Sequence, residues 1–159
     1  MDSRRVLDAI RRIVAVLRAW AAASERRLGI SGAQLFVLQT LAARPAGSLN
    51  EIAARTLTHQ SSVSVVARKL AERKLVARRR AAGDGRRREL AVTARGRSLL
   101  RRAVPAPQER LIAGVRALSA ARRRQLAASL EALLAAMGAG GLPAGMFFEP
   151  ARARRGRHA

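Results

Sequence analysis

Apolar positions recur at helical spacing along most of the chain. Val6, Ile10, Ile13, Leu17 and Trp20 are separated by 4, 3, 4 and 3 residues, a seam of period about 3.5 that predicts a helix over residues 4–28. Arg4, Arg5, Arg11, Arg12 and Arg18 lie mostly off that seam. Gly29 is placed to close the helix, and Ser31-Gly32-Ala33-Gln34 has the spacing of a capping box. A second helix is therefore expected over about 32–43, with Leu35, Phe36, Leu38 and Leu41 as apolar positions and Pro45 beyond its end. Ser48-Leu49-Asn50-Glu51 reads as a second capping box, opening a short helix with Ile52, Ala53 and Leu57. Thr58 is the expected cap of a further helix over about 60–74.

The texture then changes. Residues 75–80 and 87–92 are short, partly alternating segments around Ala82-Gly83-Asp84-Gly85, a hairpin signal with Gly-Asp-Gly at its tip. Thr93 is placed to cap a helix containing Leu99, Leu100, Val104, Leu111 and Val115, which Pro105 and Pro107 should kink or interrupt. Ser119 opens a last helix whose Leu126, Leu130, Leu133 and Met137 repeat the 4, 3, 4 spacing. Residues 138–145, Gly-Ala-Gly-Gly-Leu-Pro-Ala-Gly, cannot continue it. The predicted order is four helices, hairpin, two helices, a mainly α fold with a small β-hairpin wing and no internal repeat.

Composition narrows the chemistry. The 159 residues suffice for one domain with at most a modest annex. Apolar residues make up 49% but aromatics only 3%, so the core must be Ala, Leu and Val, which suits packed helices. The absence of cysteine excludes disulfides, thiolate zinc sites and thiol-based redox sensing by this chain. Lys and Arg number 32 against 10 Asp and Glu, a net charge of +22 that favours a polyanionic partner. Of those 32 cations 30 are Arg, whose planar fork suits phosphate oxygens and guanine edges. A GC-rich coding sequence would account for Arg over Lys but not for the net charge. No apolar run approaches the length of a membrane span and no apolar leader follows Met1, so a cytoplasmic protein is expected.

The segment from 49 to 93 concentrates the chemistry. On a helix over 60–74, Val63, Val66, Ala67 and Leu70 share one face, while Ser61, Ser64 and Arg68 share the opposite one with Gln60 at its leading turn. Ser61, Ser62 and Ser64 could serve only as caps or surface fillers. Serine is a poor helix former, however, and hydroxyls and amides near a helix N-terminus approach base edges and phosphates closely. The hairpin adds Arg86, Arg87 and Arg88, and a slim loop bearing Arg fits a minor groove. Asp84, two positions before Arg86, is expected to aim that guanidinium by a charge-assisted bond. Between Arg68 and Arg102 there are 14 Lys or Arg and 3 Asp or Glu, which is half of the excess charge. These features point to double-stranded DNA.

This order of elements resembles the MarR family of winged helix-turn-helix transcription regulators. The matching stretches are Leu49-Asn50-Glu51-Ile52-Ala53, Gln60-Ser61-Ser62-Val63-Ser64 and Leu70-Ala71-Glu72-Arg73-Lys74-Leu75-Val76. They continue with Asp84-Gly85-Arg86 and Leu90-Ala91-Val92-Thr93-Ala94-Arg95-Gly96. The resemblance implies a winged helix-turn-helix over 32–93 and an intertwined dimerisation region from 1–31 and 94–138. The tail over 139–159 departs from the shorter family forms and is read as flexible and basic, with two other courses open: Met146-Phe147-Phe148 packing back on the dimer, and the arginines touching DNA. It implies a homodimer on a pseudo-palindromic operator, with Ser61, Ser62, Ser64 and Arg68 in the major groove and Arg86, supported by Asp84, in the minor groove. Val65 would meet a thymine methyl. Family members usually repress neighbouring genes until a small, often aromatic, acid binds between the dimer region and the winged helix. Trp20 and Phe36 are the aromatic candidates here, with Arg11, Arg12 or Arg18 as anion partners, and plain core or dimer packing is the competing reading for them. No cofactor or metal is implied.

Two other classes remain. An enzyme finds little support: neither His59 nor His158 has a second ligand or carboxylate at helical or hairpin spacing, and Gly138–Gly141 follows a helix rather than joining strand to helix. A non-specific or architectural DNA binder without an effector predicts arginines spread without regard to helix face, which the face holding Gln60, Ser61, Ser64 and Arg68 opposes.

Overall fold

Local capping chemistry sets most helix boundaries in the computed structural model, which describes residues 2–81, 84–104, 106–142 and 144–147, with backbone alone at 84, 85, 87 and 107. The elements are α1 (Asp2–Leu28), α2 (Gly32–Ala43), α3 (Leu49–Thr56), α4 (Gln60–Glu72), β1 (Val76–Ala81), β2 (Asp84–Val92), α5 (Ala94–Leu100), α6 (Pro107–Ala117) and α7 (Ala120–Ala136). Gly29 ends α1 in the left-handed region, at φ +66°, its N–H donating to Glu25 O. The Ser31–Gln34 capping box forms in full at the start of α2. Thr93 and Ser119 cap α5 and α7 as expected, accepting from Gly96 N–H and Arg122 N–H.

Two caps differ from expectation. The N-cap of α4 is His59 rather than Thr58, and its side chain makes no cap bond. Only half of the Ser48–Glu51 box forms. Ser48 Oγ accepts from Glu51 N–H, but the Glu51 carboxylate turns to Gly47 N–H and to Arg55 instead of reaching back to Ser48. The Gly47 N–H and the ionised Arg55 one turn away together outcompete the single backbone N–H of Ser48.

Helix α2 carries no charged side chain and is buried from Gly32 through Leu38 and again at Leu41. Such a helix must be enclosed by others. Ile52 of α3, Val63, Val66 and Leu70 of α4, and Val76 and Val92 of the hairpin stem form one core cluster with it. Ala46 adds a third backbone edge, exchanging bonds with Leu90 at 3.0 and 2.7 Å. The helix expected after Thr93 is interrupted in the proline-containing stretch, giving α5 and α6. There the Gln39 amide donates to Val104 O and accepts from Ala106 N–H, both at 2.9 Å, pinning the linker to α2.

The strands pair antiparallel from Val76↔Val92 to Arg80↔Arg88, and the register then jumps to Ala81↔Asp84. Asp84 and Gly85 therefore belong to β2 rather than to the tip, and residues 85–87 form an extra loop of strand with no opposite partner in that register. The tip itself, Ala82 and Gly83, lies outside the described residues.

The outer helices keep apolar faces in solvent. Val6 and Ile13 on α1 and Leu126, Leu130 and Leu133 on α7 are exposed, and every residue of α7 is exposed. The α1 seam becomes buried only towards Leu17. Within the stretch read as a flexible tail, Met146 is buried at 8% exposure and joins the core cluster.

Candidate nucleic-acid interface

Helix α4 divides as its sequence predicts. Val63, Val66, Ala67 and Leu70 are buried, while Gln60, Ser61 and Arg68 are exposed and Ser62 and Ser64 half-buried. The first turn carries no acidic side chain and His59 gives it no side-chain cap; Ser62 N–H and Val63 N–H donate to His59 O, so the N–H groups of Gln60 and Ser61 are the ones an external acceptor can take. Arg68 Nε lies 3.8 Å from Glu72 Oε1 in a pair exposed on both sides, a contact that water competes with easily. Val65 does not join this face. It is buried at 8% exposure and cannot present a methyl group to a base, because the buried stripe of α4 is wide enough to include it.

The wing carries its charge on both strands. Arg79 Nε donates to Glu89 Oε1 at 2.9 Å, a cross-strand pair. Arg80 stands directly opposite Arg88, both exposed, and like charges so placed repel. That repulsion is relieved when an anion sits between them, so it favours a phosphate partner. Arg86 is exposed in the loop of extra strand residues; the side chains of Asp84 and Arg87 lie outside the described residues, so the expected Asp84–Arg86 bond does too. Sequence reasoning missed Arg78 and Arg80, although a hairpin centred on Gly83-Asp84 already sets residues 78–80 against 87–89; the observed register sets them against 88–90.

A knot behind the wing fixes its stem to α4. Lys74 adopts φ +57° and closes α4, with Leu75 N–H donating to Leu70 O and Lys74 N–H to Ala71 O. Thr93 Oγ1 donates to Lys74 O at 2.8 Å, and Thr93 N–H donates to Leu75 O at 3.0 Å. Gly96 completes the contact: a Cβ there would lie 2.3 Å from Leu75 O, so only glycine admits this approach. The Thr-x-x-Gly spacing read from the sequence is thus the lock between α4, wing and α5.

A cleft of about 720 Å³ opens between α2, α3 and α6, lined among others by Phe36, Thr40, Arg44, Arg55, Ile112 and Arg116. Arg55 donates to Arg44 O, Pro45 O and Glu51, which leaves its buried Nε without a partner among the described residues. The Gly47 N–H, then the Arg55 guanidinium, hold the Glu51 carboxyl below its ordinary 4.5. Of the expected effector residues only Phe36 lines this cleft. Trp20 packs half-buried on the other side of α2, against Leu35 and Ala103, and Arg18 is exposed on α1. The three arginines come from three separate parts of the chain, so no sequence spacing could have grouped them. Among the described residues no cluster of His, Asp and Glu could hold a metal, and no helix is long and apolar enough to cross a membrane.

The sequence profile of the MarR family matches residues 28–87. A MarR family protein of Mycobacterium tuberculosis, solved in complex with salicylic acid, is 30% identical across 79% of this chain and 93% of its own, with a TM-score of 0.49. The chain belongs to the MarR family. This MarR-family chain shares its fold with a MarR/EmrR family transcriptional regulator from Acinetobacter sp. ADP1, at 20% identity over 86% of this chain and 96% of that one and a TM-score of 0.55. It is similar also to the transcriptional regulator BldR from Sulfolobus solfataricus, at 19% identity, 85% and 96% coverage and a TM-score of 0.53. No curated protein sequence matches it. The mainly helical chain with its two-stranded wing is a winged helix of the MarR type.

Proposed function

We propose that this MarR-family chain is a sequence-specific, double-stranded DNA-binding transcriptional regulator that acts as a homodimer on a pseudo-palindromic operator, as a repressor answering to a small aromatic or anionic effector. One observation carries the reading: a low-charge, hydroxyl-lined face on α4 stands with an arginine-loaded wing whose Arg80 and Arg88 repel each other until an anion intervenes. Gln60, Ser61, Ser62, Ser64 and Arg68 read base edges in the major groove, and Arg86, with Arg87 and Arg88, enters the minor groove or grips its phosphates. Asp84 steadies Arg86.

The exposed apolar faces of α1 and α7 support the homodimer, since Val6, Ile13, Leu126, Leu130 and Leu133 are too many to leave in water without a partner. Sedimentation should give twice the 17.1 kDa of one chain, and Leu130→Asp should lower that mass. The cleft beside Phe36 suits an aromatic acid, with the ring on Phe36 and Ile112 and the carboxylate on Arg55 or Arg116. Salicylic acid, the ligand of the Mycobacterium tuberculosis relative, belongs to that class. A regulator of this kind works in the compartment that holds the DNA.

Binding-site selection from a random duplex pool tests the proposal. It should recover two inverted half-sites about one helical turn apart. A pool that shows no enrichment over the input contradicts a specific regulator and favours the architectural alternative. Repeating the selection with aromatic acids should weaken retention if the cleft is the effector site.

A further inference from the structure

Helix α7 ends in a cap that breaks its course. Gly138 takes φ +68° and its N–H donates to Ala135 O at 2.9 Å, while Ala139 N–H donates to Leu134 O at 2.8 Å, the paired bonds of a Schellman motif. Further along, Met146 lies against the winged helix, buried at 8% exposure and part of its core cluster. It lines a crevice of about 100 Å³ with Phe36 of α2, Leu57 and Thr58 of the α3–α4 turn, and Gln108 and Ile112 of α6. Gln108 is itself buried, and its amide donates to Phe147 O at 3.4 Å, which holds the backbone beside Met146.

The turn that Met146 borders leads directly into α4. Leu57 stands at φ +51° and ψ 44°, a left-handed conformation that a bulky side chain adopts at a cost and keeps only where its surroundings hold it. His59, the N-cap of α4, adds no side-chain bond. The placing of Gln60 and Ser61 therefore depends on what packs against the turn rather than on a local cap. Across the crevice, α6 packs on α1, whose apolar face belongs to the proposed dimer. Met146 thus stands between the helices proposed to join two chains and the turn that starts α4.

We infer that Met146 is a positioning residue for base reading: wedged between α6 and the α3–α4 turn and held by Gln108, it fixes where the leading end of α4 stands relative to the dimer helices. The inference rests on the base-reading role proposed for Gln60, Ser61 and Ser64. Buried as it is, Met146 acts through the turn and not by touching DNA. Base-edge bonds need a placement good to about 0.5 Å. Attraction between phosphates and a chain of charge +22 survives small shifts of a helix. Loss of the wedge should therefore cost operator affinity and leave random-duplex affinity and the salt slope alone. The expected size is about tenfold, in the range for residues that modulate a site without touching its ligand.

Full-length Met146→Ala, Met146→Leu and Gln108→Leu proteins test it, by fluorescence anisotropy on operator and random duplexes over a salt series and by amide hydrogen exchange. Met146→Ala should lower the operator-to-random affinity ratio about tenfold at an unchanged slope. Exchange should quicken at Thr58, Ser62 and Val63, whose N–H groups are bonded within the turn and the first turn of α4. Met146→Leu, which refills the space, should restore both. Gln108→Leu keeps the apolar wall and removes the donor, so it should lower the ratio in the same direction, and it decides the matter if Met146→Ala does not fold. A folded variant that melts lower but keeps the parent's ratio overturns the positioning role and leaves Met146 a core filler. An equal loss on both duplexes overturns it too. A parent that does not favour operator over random duplex would overturn the base-reading proposal itself and the positioning role with it, an outcome distinct from the other two.

Discussion

Replacing Gly96 by Ala measures how firmly the wing is held to α4. An ideal Cβ at this position lies 2.3 Å from Leu75 O and 2.7 Å from Val92 Cγ1, and Leu75 O is backbone that cannot swing aside. Relief needs a movement of about 1 Å between α5 and the β1 entry, since unstrained carbon contacts begin near 3.5 Å. Overpacking of this kind costs about 1–3 kcal/mol. The same movement stretches the Thr93 hydroxyl bond to Lys74 O, 2.8 Å, and the cap on Gly96 N–H, 3.0 Å, worth about 1 kcal/mol together in this half-exposed setting. Ala gains up to about 1 kcal/mol over Gly in helix propensity, which offsets part of the loss. The net expectation is a destabilisation of about 2–3 kcal/mol, or a Tm lower by about 5–10 °C for a chain of this size. Thermal melts at matched chain concentration read it, because a dimer's Tm depends on concentration. Gly114→Ala is the control: nothing lies within 4 Å of its added Cβ, and it should be neutral or slightly stabilising. A Gly96→Ala protein melting within about 1 °C of the parent would show that the close approach, and the lock built on it, is wrong.

Three further outcomes are expected. Arg86→Ala should weaken operator binding by about 1–3 kcal/mol, most where the minor groove is narrow and A·T-rich; equal affinity on such operators would remove the wing from the mechanism. Ser64→Ala should alter sequence preference more than salt dependence, as competition against base-substituted operators reports. Glu51→Gln should destabilise the protein at neutral pH, with the gap to the parent closing as pH falls. The Glu51 pKa is depressed by Gly47 and Arg55, so its contribution is full above about 4.5 and is lost on descent towards the lowered value; a constant gap in Tm from pH 7 to pH 3 would contradict that.

Elements were legible where local chemistry had no rival. The Ser31–Gln34 box, the Gly29 stop, the Thr93 cap and the Pro105–Pro107 interruption each depend on residues within a few positions, and each formed. Glu51 illustrates the limit. Spacing assigns it a capping role, but Arg55 one turn later and Gly47 claim the carboxylate. The hairpin tip slipped for a similar reason, since Gly-Asp-Gly signals a turn without stating where a bulge will let strand pairing resume.

The face of α4 proposed for binding followed from period 3.6, because Val63, Val66 and Leu70 turn inward and leave Ser61 and Arg68 exposed and Ser64 half-buried. Val65 shows where that reasoning is too coarse: a small apolar residue at the margin of the stripe is decided by what packs beside it. Pockets were least legible. Trp20 and Phe36 share an aromatic character but sit on different sides of α2, while Arg44, Arg55 and Arg116 meet only through the tertiary fold. Met146 had only its apolar character to mark it, and the crevice it fills is made by elements far away in sequence.

Specific DNA recognition by α4 and the wing is tested most directly by one titration. Affinity for a selected operator and for random duplex is measured across a salt series. A dimer covering about 10 phosphates should give slopes near −9 on both DNAs. Near physiological salt the operator should still be favoured by at least about a thousandfold. Operator and random curves that fall together, with no separation at any salt, would contradict the account and leave only a basic protein drawn to DNA by its charge.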